Sequence, residues 1–320
     1  MLAISLAWAL APVASAATGP SGPWPTRPVR IIVPFAPGGL TDAYARLFGE
    51  QLTQQLGATV LVENKTGAGG VIGIDLVAKA PPDGHTLLMT VAGTVMQNRV
   101  LYTKLPYDLD KDLLPIAVFP SGSLVVGVAP DVPAGDMKEF LAWAKGRDLT
   151  MGTYGPGSYP HMTAGMLRRR YGLKVEVAHY RGESAMWVDV AGGQVQFAAG
   201  SLQAFNTVAS RGVKPIGVSG VQRSPRLPGV ATLQEQGVDD PLVTLEGGLV
   251  LMAPAGTPEA ILQTLSRVVV KGNDSPQAVK LRENFGIPGK PKDLASTGAE
   301  WDRVVPAWVK AAAELGIKLD

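Results

Sequence analysis

The chain has 320 residues, enough for two domains of ordinary size, and its 46% hydrophobic and 18% charged content is that of a globular protein. Twenty-nine basic against 27 acidic residues leave a formal charge of +2, without the basic excess that nucleic-acid-binding proteins gather on one face. There is no cysteine, which excludes disulfide scaffolds, Cys-ligated zinc and thiol nucleophiles.

Residues 1–17, "MLAISLAWALAPVASAA", form an apolar run closed by the small-x-small pattern Ala14-Ser15-Ala16. That predicts a secretory signal and an exported, periplasmic protein, although no Lys or Arg precedes the apolar core. Residues 18–23, rich in Gly and Pro, read as a flexible tether. No later stretch is long and apolar enough for a membrane-spanning helix.

From Trp24 onward, short apolar runs alternate with helical periodicity. Val29–Val33 predicts a strand, and Tyr44, Leu47, Phe48, Leu52 and Leu56 mark one face of the next helix. Between them lies "FAPGG", a Gly-rich turn of the kind that presents backbone N–H groups to an anion. Ala58–Val62 predicts a strand, "ENKTGAGG" a second such turn, Val71–Ala80 a helix and Thr86–Met89 a third strand. The style repeats after Leu124–Ala129. Asp136 and Glu139 read as a capping box for a helix ending at Gly146. Leu149–Thr153 is a strand, followed by "YGPGSYPH" and a helix. Arg168–Arg170 fall in its last turn before Gly172, where the helix dipole and a C′ glycine account for them. Val175–Ala178, Gln194–Ala199, Pro215–Val218 and Leu249–Ala253 complete the strands. Thr257-Pro258 and Ser275-Pro276 each read as an N-cap followed by proline, and Pro306 is expected to kink or divide the C-terminal helix. The pattern predicts an α/β fold of two mostly parallel sheets flanked by helices, with Gly-rich turns at the carboxyl ends of strands, where open sheets bind ligands.

Catalytic signatures fail on spacing. "GAGGVIG" places Ile72 where a dinucleotide fingerprint needs glycine, and no Gly-Lys-Ser/Thr or Gly-x-Ser-x-Gly is present. His85, His161 and His179 are dispersed, without a second ligand at metal spacing. His161 lies one turn into the helix after Ser158, and a Ser158–His161 hydrolase pair is the enzyme alternative, lacking an evident third group. No enzyme, cofactor or metal is expected.

In chain order, "WPTRPVRIIVPFAPGGLTDAYAR", "VENKTGAGGVIG", "PPDGHTLL", "LPYDLDKDLLPI", "GPGSYPHM", "GGQVQF" and "RSPRLPGVATLQEQG" closely resemble the Bug-type receptors of tripartite tricarboxylate transporters. The resemblance implies a two-domain Venus flytrap of periplasmic-binding-protein type, with residues 24–123 and 247–320 in domain I and 124–246 in domain II. Two crossover strands join the domains, near Ser121–Val125 and Glu246–Leu251. It also implies a monomer that captures a small carboxylate between the domains and delivers it to a membrane permease, or alternatively presents it to a sensor kinase.

Carried over by residue, the first-domain site is Ala36, Pro37, Gly38, Gly39 and Thr41, followed by Ala92, Gly93 and Thr94. The second-domain site is Tyr154, Gly157, Ser158 and His161, then Arg181, Gly182 and Glu183, then Gly200 and Ser201. Thr41 is expected to cap its helix, to present its hydroxyl to the ligand, or both. Arg181 either closes over the ligand or stays solvated on the rim. Gly200 stands where family members often carry an acid, which removes a counter-group for an ammonium and predicts a simple or aromatic carboxylate without an amino group.

Overall fold

The computed structural model describes residues 24–244, 248–314, 316 and 318. The expected signal and tether, and part of the second crossover, lie outside them. Within the described residues the chain forms β1 (Val29–Val33), α1 (Leu40–Leu56), β2 (Val60–Asn64), α2 (Val71–Ala78), β3 (Thr86–Val91), α3 (Ala92–Leu101), α4 (Leu109–Asp112) and β4 (Leu113–Pro120). It continues through β5 (Leu124–Val128), α5 (Met137–Ala144), β6 (Asp148–Thr153), α6 (Tyr159–Tyr171), β7 (Lys174–His179), α7 (Glu183–Ala191) and β8 (Phe197–Ser201). Then come α8 (Leu202–Asn206), β9 (Lys214–Val218), α9 (Pro241–Thr244), β10 (Gly248–Pro254), α10 (Glu259–Gly272), α11 (Pro276–Phe285) and α12 (Leu294–Glu314).

These strands build two five-stranded sheets with the same spatial plan, β2-β1-β3-β10-β4 and β7-β6-β8-β5-β9. In each, three parallel strands are followed by one antiparallel strand that arrives from the other sheet. β5 enters the second sheet directly after β4 of the first, and β10 returns to the first after α9. β1 therefore corresponds to β6, β2 to β7 and β3 to β8. The turns that follow corresponding strands occupy corresponding places at the carboxyl edges. The result is a two-lobed α/β fold.

Alternation along the strands explains the layers. Ile31 and Leu87 face one buried cluster with Phe48 of α1 and Leu265 of α10, while their neighbours Ile32 and Leu88 face another with Ile74 of α2 and Trp308 of α12. A parallel sheet covered on both faces needs apolar residues at successive positions, which "VRIIV" and "TLLMTV" provide. α12 packs on α3, and a Cβ on Gly93 would stand 3.0 Å from the Trp308 ring.

Several boundaries differ from expectation. β2 and β8 sit two or three residues later than predicted, because pairing with β1 (Val29 with Val60) and with β5 (Leu124 with Ser201) sets their registers. Asp136 Oδ1 accepts the Glu139 N–H, but the Glu139 carboxylate reaches to Gly135 N–H, and α5 stops at Ala144. Pro258 itself is the N-cap of α10, since the Thr257 hydroxyl donates to Pro254 O. Ser275 caps α11 as expected, accepting from Ala278 N–H. α12 runs unbroken through Pro306, which is exposed, so water can reach the carbonyl that loses its partner.

Candidate binding site at the strand-end turns

The turn between β1 and α1 exposes Ala36, Pro37, Gly38 and Gly39. Gly38 has φ +91°, a left-handed conformation that favours glycine. Asp42, 5% exposed, pins this turn from below. Its Oδ2 accepts Gly38 N–H at 3.1 Å and Arg46 Nε at 2.9 Å, and its Oδ1 accepts Arg46 Nη2 at 3.1 Å and Asn64 Nδ2 at 3.1 Å. Asn64 Nδ2 also donates to Phe35 O at 3.0 Å. Burial alone would raise the Asp42 pKa, but the bonds from Arg46, Gly38 and Asn64 outweigh it and hold the carboxyl below its ordinary value. Gly39 is the N-cap of α1 and has no side chain to cap with. Thr41 is the second helical residue, which corrects the expectation that it caps.

Two further helix starts converge on this turn. At Gly70, the N-cap of α2, a Cβ would lie 3.4 Å from Thr94 Cγ2 and 3.5 Å from Pro34 Cβ. α3 follows β3 without a turn, with Ala92, Gly93 and Thr94 buried and Val91 as an N-cap that makes no capping bond. The bareness of Gly93 is explained by Trp308.

In the second lobe, the Ser158 hydroxyl donates to Gly155 O at 2.7 Å instead of capping α6. His161 Nδ1 accepts Gly157 N–H at 3.0 Å, so its proton sits on Nε2. The His161 ring meets His179 edge-on at 4.9 Å, and His179 Nδ1 pairs with Thr153 Oγ1 at 2.6 Å. Burial, with smaller contributions from His179 and Arg168, lowers the His161 pKa to about 4, and burial lowers that of His179 as well. Each half of the Ser158–His161 pair thus binds the backbone of its own turn, which removes the nucleophile–base geometry a hydrolase needs.

The β7–α7 turn places exposed Arg181 beside Gly182, the side-chain-free N-cap of α7. Glu183, the first helical residue, accepts the Ser201 N–H through Oε1 at 3.2 Å and Oε2 at 3.1 Å, and Oε2 also accepts the Ser201 hydroxyl. Burial pushes the Glu183 carboxyl up, partly offset by these bonds. A Cβ on Gly200 would lie 3.3 Å from Glu183 Cδ and 2.9 Å from Trp187 Nε1. The place of an acid at position 200 is therefore taken by a carboxyl group delivered from α7.

The candidate residues thus fall into two sets, one on the carboxyl edges of neighbouring β1 and β3, the other on those of β6, β7 and β8. The N-caps of α1, α2, α3, α6 and α7 make no side-chain capping bond, a feature shared by α10 at the opposite edge of the first sheet, whereas α4, α5, α8 and α11 are capped by Asp108, Asp136, Ser201 and Ser275. Long helices that begin without a cap keep amide donors and a positive dipole end for an anion. Pinning by Asp42, the converging Gly70, the His161–His179 contact and buried Trp187 were not read from sequence. The i,i+4 spacing of Glu183 and Trp187 was the one available signal for the last. Among the described residues, no group of three or more His, Asp or Glu is placed to hold a metal ion. A groove of about 690 Å³ lined by Gln55, Gln263, Arg267, Lys271 and Asp293 lies on α1, α10 and the start of α12, away from these turns.

Comparison with known proteins agrees with this geometry. The family model "Tripartite tricarboxylate transporter family receptor" matches residues 44–317. An R. palustris protein solved with adipate superposes with a TM-score of 0.82 at 29% identity, over 93% of this chain and 100% of that one. The periplasmic binding protein BugD gives 0.79 at 28% identity, over 92% of this chain and 100% of that one. MatC of Rhodopseudomonas palustris, with bound malate, gives 0.79 at 27% identity, over 91% and 99%. The chain belongs to the tripartite tricarboxylate transporter receptor family, the Bug-type solute-binding proteins.

Proposed function

We propose that this chain is an exported, monomeric receptor that captures a small carboxylate between its lobes and delivers it to the membrane permease of a tripartite transporter. In this reading residues 24–123 and 247–320 form one lobe, residues 124–246 the other, and the chain catalyses no reaction. The observation that carries it is the paired set of uncapped helix starts, α1 with α6 and α2 with α7, at corresponding edges of two sheets of identical plan. Such starts hold a carboxylate through backbone N–H groups, without a buried cationic side chain. The adipate and malate of the structural neighbours support a dicarboxylic acid without an amino group.

Binding both lobes at once favours the closed arrangement, with rotation at the β4–β5 connection and at the return to β10. Closure removes water from the carboxylate and strengthens each amide contact. A thermal-shift screen of mono-, di- and tricarboxylic acids, with amino acids and sugars as controls, tests the reading. An acid present at 100 times its dissociation constant adds about 2.7 kcal/mol of stability. Stabilisation by unaminated acids is expected. Stabilisation by sugars or amino acids alone would refute it.

A further inference from the structure

Glu183 engages donors of the kind that the proposed function assigns to a ligand carboxylate. Both of its oxygens take the Ser201 backbone N–H, and one also takes the Ser201 hydroxyl. One helical turn further along α7, on the same face, Trp187 is 0% exposed and its indole N–H has no hydrogen-bond partner. A buried donor left unpaired is costly and rare enough to need a reason. The two groups meet above Gly200. A Cβ there would stand 2.9 Å from Trp187 Nε1 and 3.3 Å from Glu183 Cδ, so the glycine is what lets them share this space.

We propose that Glu183 is an internal competitor for the ligand. Its carboxylate occupies the Ser201 amide and hydroxyl in this structure, an incoming ligand carboxylate displaces it, and it transfers to the indole N–H of Trp187. Two carboxylates cannot share the Ser201 donors without strong like-charge repulsion, so exchange is the physical alternative to double occupancy. The transfer pairs the orphan indole donor at the moment the ligand takes Ser201, and thereby offsets the displacement. Affinity is then set by a contest between two carboxylates for one pair of donors, and not only by contacts to the ligand. This inference rests on the reading that the cleft receives carboxylates, but its test does not require the natural ligand.

The probe is acetate, titrated into wild type, Glu183→Ala and Glu183→Gln at constant ionic strength against a chloride control, with melting temperature as the readout. Acetate is expected to fill the donors vacated in Glu183→Ala, raising its melting temperature by about 2 °C or more at ten times the acetate dissociation constant. Wild type and Glu183→Gln, which retains an oxygen over Ser201, are expected to stay unmoved. An equal response in all three proteins, or none in Glu183→Ala, overturns the proposal. Glu183→Ser serves if the alanine variant does not fold. A second arm measures adipate affinity. Glu183→Ala should tighten it, and Trp187→Phe should weaken it about tenfold, or ~1.4 kcal/mol, only while Glu183 is present. Weaker adipate binding by Glu183→Ala would make Glu183 a direct ligand contact and overturn the proposal while keeping the receptor reading. If wild type binds no acid of the screen, yet acetate stabilises only Glu183→Ala, the receptor reading fails and the competitor stands.

Discussion

Replacing Asp42 by alanine should damage the first-lobe turn, although Asp42 was not assigned to the ligand. The substitution removes the acceptor for Gly38 N–H, for both Arg46 nitrogens and for Asn64 Nδ2. The Gly38 bond, with a charged acceptor, is worth about 1.5–3 kcal/mol, and the Asn64 bond about 1 kcal/mol. The Arg46 pair adds only ~0.3–0.5 kcal/mol, since Arg46 is exposed and its i,i+4 partner lies on the same helix. These terms share one carboxylate and do not add fully, so the expected loss is about 3 kcal/mol, or roughly 6 °C in melting temperature. Asp42→Asn, which keeps shape and one acceptor oxygen, should fall between wild type and Asp42→Ala. Thermal and urea unfolding measure the loss, and titration with an acid that binds wild type measures the turn. The same variant should bind that acid several-fold more weakly, because losing the Gly38–Asp42 bond releases the turn that positions the first amides of α1, those of residues 39–41. An Asp42→Ala protein that melts within about 1 °C of wild type and binds equally well would refute the pinning argument.

His161 is held neutral, with its pKa lowered to about 4. The unfolded chain binds more protons between pH ~6.5 and ~4, so stability is full above that window and falls as pH drops through it, by roughly 2 kcal/mol after solvent screening. His161→Gln should flatten that part of the stability–pH curve, and an unchanged slope would refute the assignment. Gly93→Val should cost about 1–3 kcal/mol by pushing Trp308 away from α3, and Trp308→Leu in the same protein should recover part of the loss. Gly38→Val should cost about 1–2 kcal/mol from backbone strain alone, because no atom lies within 4 Å of its Cβ position. Scattering from the protein with a saturating acid should give a smaller radius of gyration than without it, and no change despite binding would count against closure.

Periodicity placed most strands and helices, because both faces of each sheet are covered and their strands read as unbroken apolar runs such as "RIIV" and "TLLM". Boundaries shifted where partner strands decide the register, as at β2 and β8. Proline rules were right for Ser275-Pro276, where a hydroxyl caps. They were wrong for Thr257-Pro258, where the hydroxyl turns back, and Pro306 does not divide its helix, since at this exposed position water can reach the freed carbonyl. At the site, glycine-rich turns after strands were legible because amide presentation needs bare backbone. The contacts that shape them were not, since Asp42 with Asn64, His161 with His179 and Glu183 with Ser201 join residues 18 to 22 positions apart across different elements. The acid missing at Gly200 illustrates the limit. A one-position comparison counted it as lost, whereas the fold returns a carboxyl group to the same place from α7.

If backbone amides from both lobes grip one carboxylate, amide hydrogen exchange with and without a binding acid will register the contact at both turns. Simultaneous slowing is expected at residues 39–41 and at residues 159 and 161, with little change along the groove beside Gln55 and Arg267. Slowing confined to one of those turns, or found only at the groove, would contradict it.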